Sequence, residues 1–380
     1  GQVGWGGPLG DEYRLTELVT EADRWPAERL LSFLTIDLPI SGLVTGRLPL
    51  DGVTPRVVGA ADLSFEAARL WGQPFDRVAG RLSFEPDRLR LSSVTGALGG
   101  GTARLEGSFL WDDDGYELDA AADGLPLERV TDVSAGLPGL TGRLTGTLSG
   151  SGTLDDPTLR LRGSIADAAF RGSPLALQGR PAALRLDLDG PRLEAEVDAP
   201  GAARLTAEGE GAATEVRLDL RSIAAWGELL GVPPRTGLDG TASLTATLVD
   251  GPDGELASAR GRVESLEARL GSHRVRLPAP APFAWGGERL SWEGLRLAAL
   301  REMEGGGGLP EGEVVSSGSL LTDGAGLLEA RANGTIEAAI LAPFLGFAAL
   351  EGRIGVSGSA SGTLEHPVLA GRLDLDGVEL

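Results

Sequence analysis

The chain has 380 residues, a net charge of −21, and arginine as its sole basic residue apart from two histidines. That balance excludes nucleic acid as a partner, because phosphate binding needs basic surface. It also disfavours attraction to an anionic membrane face by charge alone. The absence of cysteine excludes disulfides and thiolate metal sites, and no apolar run reaches the ~18 residues of a membrane-spanning helix. Hydrophobic residues make up 42% of the chain, enough for a core, while 58 glycines demand many turns and hence many short strands.

In chain order, the first expected element is a short helix over Pro26 to Leu34. Pro26 suits a first helical turn, and Trp25, Leu30, Leu31 and Leu34 form its apolar face. Ser41 to Gly46 reads as a Gly-rich hairpin strand, and turns are expected at Asp51-Gly52 and Gly99-Gly100. Asp112-Asp113-Asp114-Gly115 reads as a solvated hairpin turn between Trp111 and Tyr116; it lacks the spaced ligands of a calcium loop. A second helix is expected over Pro126 to Val133, followed by Thr141 to Gly146 and a Pro turn at Ser151 to Pro157.

Strict alternation dominates the middle of the chain. Leu159, Leu161 and Ile165 alternate with Arg160, Arg162 and Ser164, and Leu184, Leu186 and Leu188 with Arg185, Asp187 and Asp189. Beyond a Gly190-Pro191 turn, Leu193, Ala195 and Val197 alternate with acidic residues, and Val216, Leu218 and Leu220 with Arg217, Asp219 and Arg221. Period two sends these two sets to opposite faces of a strand, one apolar and one charged.

A third helix is expected over Ser222 to Leu230 and a fourth over Thr335 to Leu345, each followed by a Gly-rich strand at Asp239 to Leu244 and Glu351 to Gly355. Trp285 and Trp292 flank Gly286-Gly287 as one hairpin. Ser361 to Pro367 repeats the earlier Pro turn, and Leu373 and Leu375 alternate with Arg372 and Asp374 before Asp376-Gly377. Helix, hairpin, Pro turn and meander thus recur at intervals of about 100 residues, the mark of a repeat array. Approximate units are 26–125, 126–221, 222–334 and a partial 335–380, within one array covering 1–380.

Candidate chemistry is sparse. His273 and His366 lie in different repeats, and both read as turn filler, not as catalytic groups. Gly305 to Gly308 has neither a lysine nor a strand-to-helix setting, so it reads as a surface loop and not as a phosphate cradle. Ser149-Gly150 and Ser357-Gly358 lack the pattern of a nucleophile elbow. No enzyme, cofactor or metal is expected.

The helix, the G-x-L-x-G strand and the S-G-T-L-x-x-P-x-L-x-G turn resemble the repeats of the TamB and AsmA-like family. The match is closest over Gly146 to Gly163 and Gly352 to Leu375. The resemblance implies a segment of a periplasmic bridge in a diderm bacterium, with an inner-membrane anchor outside this stretch. It also implies a long sheet curled into an apolar U-shaped trough, phospholipid as cargo, and an outer-membrane barrel of the assembly family as partner. Both termini read as cuts inside a longer protein.

The expected fold is therefore all-β with a few short helices: an elongated, repetitive antiparallel sheet curled so that its apolar face forms a groove. Helices are too few to cover that face, and its aliphatic residues suit acyl chains. The expected groove lining is Leu159, Leu161, Ile165, Leu184, Leu186, Leu188, Leu193, Val197, Val216, Leu218, Leu220, Leu373 and Leu375. Two alternatives carry no lipid: an assembly factor that templates strands of outer-membrane proteins on an exposed edge, and a structural β-stalk.

Overall fold

A computed structural model describes residues 14–33, 39–53, 56–70, 72–111, 114–136, 139–153, 155–170, 173–174, 179–224, 238–251, 256–270, 273–302, 308–322, 326–339, 351–363 and 367–379. The strands begin with β1 (Arg14–Pro26), β2 (Ile40–Val53), β3 (Arg56–Leu70), β4 (Gln73–Pro74), β5 (Arg77–Phe84) and β6 (Arg88–Leu98). Next come β7 (Gly101–Leu110), β8 (Gly115–Pro126), β9 (Leu140–Thr153), β10 (Pro157–Phe170), β11 (Ser173–Pro174) and β12 (Ala182–Asp189). Then follow β13 (Arg192–Ala199), β14 (Ala203–Glu210), β15 (Ala213–Leu220), β16 (Leu238–Asp250), β17 (Leu256–Leu270) and β18 (His273–Arg276). The last are β19 (Ala281–Gly286), β20 (Arg289–Glu302), β21 (Gly308–Leu321), β22 (Leu327–Glu337), β23 (Glu351–Thr363) and β24 (Pro367–Glu379). The helical elements described include α1 (Ala27–Phe33), a 3-10 turn at Leu127–Arg129 and α2 (Thr131–Gly136).

The expected all-β, repetitive antiparallel architecture is what the chain adopts. Two compact units divide it, one of Gly1–Gly172 with Gly179–Pro191 and one of Ser173–Gln178 with Arg192–Leu380. In the first, β1 pairs with β2, β2 with β3, β3 with β5, and β5 to β10 pair in succession, with β12 on the far side of β10. In the second, β13 to β17 pair in succession; β18 and β19 lie side by side between β17 and β20, and β20 to β24 continue the meander.

Between the units at 26–125 and 126–221 the recurrence extends to backbone detail, and the same bulge occurs again inside 222–334. Arg24 on β1, Gly124 on β8 and Gly294 on β20 each adopt positive φ, at 54, 62 and 62°. At each, two residues face one on the next strand, which is a bulge. The freed backbone N–H donates to a hydroxyl across the gap: Arg24 to Thr45 at 3.2 Å, Gly124 to Thr145 at 3.1 Å and Gly294 to Ser317 at 2.9 Å. A glycine follows each hydroxyl residue. At Gly146 an added Cβ would stand 2.6 Å from the Arg162 carbonyl and 2.7 Å from Gly163 Cα. Glycine is required there because the neighbouring backbone has closed into the space a side chain would fill.

A second bulge recurs one hairpin later, with Ala67 and Asp167 at φ 49 and 52° opposite Gly42 and Gly142. The residue after each, Ala68 or Ala168, is buried. Three strand ends also bury the next apolar side chain, Ala27 after Pro26, Leu127 after Pro126 and Ala338 after Glu337, and Ile223 is buried shortly beyond the end of β15.

Several local expectations are corrected. Asp51 and Gly52 do not form a turn; they are paired within β2, opposite Val58 and Val57. Gly377 likewise sits inside β24, at φ 60° beside a register shift. The strand runs on through both sites because pairing of the flanking residues to the adjacent strand outweighs local turn preference. The fourth helix does not begin at Thr335: β22 continues to Glu337, and helix is described only at 338–339. The rest of that helix, and residues 225–230 of the third, lie outside the described residues. Trp25 is not a core residue of the first helix; it remains 49% exposed. The Gly99-Gly100 and Gly286-Gly287 turns are formed as expected, closing Leu98 on Gly101 and Gly286 on Arg289.

Gly146→Val should lower the denaturation midpoint by about 1–3 kcal/mol of stability, since its side chain meets backbone that cannot retreat. Thr147→Val, one residue on and exposed on the opposite face, should stay within about 0.5 kcal/mol in the same urea titration.

Candidate functional site

Residues paired across antiparallel strands share a face, so the register shows which side chains stack. In the first unit, Ala120, Leu148, Leu161 and Leu186 form one row across β8, β9, β10 and β12. Leu118, Gly150, Leu159 and Leu188 form the row beside it, and Leu144, Ile165 and Ala182 another. Gly163 faces Leu184 between them. The six expected lining residues of this unit are thus brought onto one face, and all six are half-buried.

The second unit repeats the arrangement. Val197, Leu205, Leu218, Leu244 and Val263 form a row across β13 to β17. Val216 stacks between Ala207 and Ala246, Leu220 between Ala203 and Ala242, and Leu193 faces Gly209. Leu205 was not among the expected residues, yet it lies mid-row and is 37% exposed. Its signal was the alternation Leu205-Thr206-Ala207, where Ala is too small to mark the face clearly. Leu375 pairs with Ile354 but is 63% exposed, and the side chain of Leu373, opposite Val356, lies outside the described residues.

The opposite face carries the charges that alternate with these rows. Arg and acid pair two residues apart along a strand at Arg185–Asp187 (2.6 Å), Arg192–Glu194 (2.5 Å), Arg217–Asp219 (2.9 Å) and Arg372–Asp374 (2.6 Å). Exposed pairs of this kind add little stability, so their role is to keep one face in water. A one-residue slip in register would carry all of them onto the apolar face, which forbids it.

The first unit also contains apolar residues that the alternation in its sequence did not single out. Val44, Leu48, Leu50, Ala61, Leu63, Phe84 and Leu89 form a buried cluster with Ala22 and with Leu30 of α1. Beside it lies a cavity of about 450 Å³, covered on one side by Ala27, Leu30 and Leu31 of α1. Its other walls include Leu63, Phe65, Leu82, Leu91, Leu105 and Trp111. The Trp111 indole N–H donates to the Glu85 carbonyl at 3.2 Å, leaving its ring to the cavity. The alternation Leu89-Arg90-Leu91 is a trace of this face that the expected lining did not include. Its enclosure depended on where α1 docks.

One polar group breaks the apolar face in the second unit. The bulge between Ala299 and Leu300 leaves Glu311 without a strand partner and turns its carboxylate inward, where it is 6% exposed. His273 Nδ1 lies 2.7 Å from one oxygen and Arg301 Nε 2.5 Å from the other. His273 is therefore a strand residue held by a buried acid and not turn filler, because its neighbour across the strand, Arg301, shares that acid. His366, Asp112, Asp113 and Gly305 to Gly307 lie outside the described residues. Ser149 and Ser357 sit on strands, exposed, with Gly150 and Gly358 turned to the apolar rows. Among the described residues no group of three potential metal ligands occurs, and no helix is long and apolar enough to cross a membrane.

No protein-family model matches the chain, and no curated protein or solved structure matches it either. Its class rests on its own geometry: a repetitive antiparallel β-protein with one apolar and one charged face.

Glu311→Ala should cost about 1.5–3 kcal/mol in thermal or chemical unfolding, since it strips a charged hydrogen-bond acceptor from both His273 and Arg301. A second expectation concerns pH. The Arg217 guanidinium, and then the Ser243 hydroxyl, hold the Asp219 carboxyl below the ordinary carboxylate value. The resulting stability is complete above that ordinary value of about 4 and is lost as pH falls through the lower folded value. The melting temperatures of wild type and Asp219→Asn should therefore differ at pH 7 and converge in strong acid.

Proposed function

We propose that this chain is a non-catalytic lipid-binding segment of a cell-envelope bridge, and that it holds phospholipid acyl chains against the apolar face of its sheet. The supporting observation is the register: in each unit aliphatic side chains stack on aliphatic side chains, half-buried and facing away from the charges. Burying each methylene is worth about 0.8 kcal/mol and has no preferred direction, so a chain can be held firmly yet still slide along the rows. The resemblance to TamB-like repeats adds the setting to the proposal. There the segment works in the periplasm, with an anchor in the inner membrane and a barrel of the assembly family at the outer membrane.

Organic extracts of the purified protein should contain phospholipid by mass spectrometry. Leu161→Asp with Leu186→Asp in the first unit, or Leu205→Asp with Leu218→Asp in the second, should cut the lipid recovered per protein at least several-fold while circular dichroism still reports the sheet. A wild-type protein that carries no lipid and takes none from vesicles would overturn the proposal. Binding of an outer-membrane protein strand that survives all four substitutions would instead favour the edge-templating alternative.

A further inference from the structure

The cavity under α1 differs from the open rows in being partly covered. Three α1 residues, Ala27, Leu30 and Leu31, cover part of a floor drawn from β2, β3, β5, β6 and β7, and its walls extend to Trp111 beyond β7. The floor crosses four inter-strand steps of about 4.8 Å, or about 19 Å in all. One leaflet of a bilayer's hydrocarbon core, the length of one acyl chain, is about 15 Å. Capacity agrees with length: an apolar cavity of about 150 Å³ accommodates benzene, with its six carbons. The 450 Å³ here is three times that, room for about 18 carbons in single file.

The lining chemistry narrows the occupant further. Leucine, valine, phenylalanine and alanine side chains supply nearly the whole wall, and they offer water no hydrogen-bond partners. Among the described residues the one charged side chain that lines it is Asp114, an exposed residue beside Gly115. The lining therefore admits an aliphatic tail, and among its described residues there is no cation to draw an anionic headgroup in after it.

We infer that this chamber is a binding site for one aliphatic chain of about 16–18 carbons, covered in part by α1. The site rests on the lipid-binding reading above but is more specific: the open rows let chains slide, whereas the chamber retains a single chain.

Trp111 makes the test direct, because its ring is part of the wall. A variant that keeps Trp111 and carries phenylalanine at the other six tryptophans is titrated with dibromostearic acid, and separately with vesicles of phosphatidylcholine brominated on one chain. A second variant keeps only Trp285 and Trp292, which lie on strands of the second unit. Trp111 fluorescence should fall by at least half, saturating near one bromolipid per protein. Adding Leu91→Phe, which fills part of the chamber, should weaken that response at least fivefold and leave Trp285 and Trp292 unaffected. The fatty acid and the phospholipid arms show which source delivers the chain. Quenching of Trp285 and Trp292 without Trp111 would overturn the chamber and leave the wider lipid reading standing. Quenching of neither would overturn both, and non-saturating quenching of Trp111 that Leu91→Phe does not change would reduce the chamber to surface adsorption.

Discussion

Everything in this protein depends on keeping one antiparallel register from strand to strand. With side chains alternating between faces, a slip of one residue would exchange the Leu161, Leu186 and Leu218 rows for Arg162, Arg185 and Arg217. Hydrophobic burial alone resists such a slip, but a two-residue slip would preserve the faces. The bulges supply what burial lacks. A left-handed residue and a hydroxyl partner occur together at Arg24/Thr45, Gly124/Thr145 and Gly294/Ser317, so each pins its hairpin to a single alignment.

The same devices shape the face they align. Bulges bend strands, and glycine at positions such as Gly146, Gly163 and Gly318 lets backbones approach where a side chain would collide. These glycines lie in the apolar rows, interleaved with leucine and alanine. Bends at the bulges and thinning of side chains at these glycines therefore act on the same rows. That combination leaves room beside an aliphatic surface, which is the physical basis for reading it as a place where another apolar molecule sits.

The two faces carry unequal burdens. The charged face contributes little to stability pair by pair, yet it keeps a largely two-faced sheet in water and penalises inversion. Where the apolar face departs from its own rule, at Glu311, the departure is fully partnered by His273 and Arg301. A buried acid with one partner removed is costly, so this trio belongs to the architecture even though its residues look like candidate chemistry.

Period two and the density of glycine were legible in the sequence because both are local: alternation is a property of one strand, and turns of a few residues. They determined the all-β antiparallel class, the two-faced strands and part of each row, such as Leu159, Leu161 and Leu186 in the first unit and Val197 and Leu218 in the second. Even the bulges left a trace, as Ala22-Asp23-Arg24-Trp25-Pro26 recurs in Ala122-Asp123-Gly124-Leu125-Pro126. What only the tertiary structure decided was non-local. Asp51-Gly52 became strand because a neighbour was there to pair with it. His273 found its acid 38 residues away across two strands. The chamber formed because α1, too short to stand alone, docks on the apolar face and not in solvent. Alternation says which way a side chain points, while its neighbours decide what it meets there.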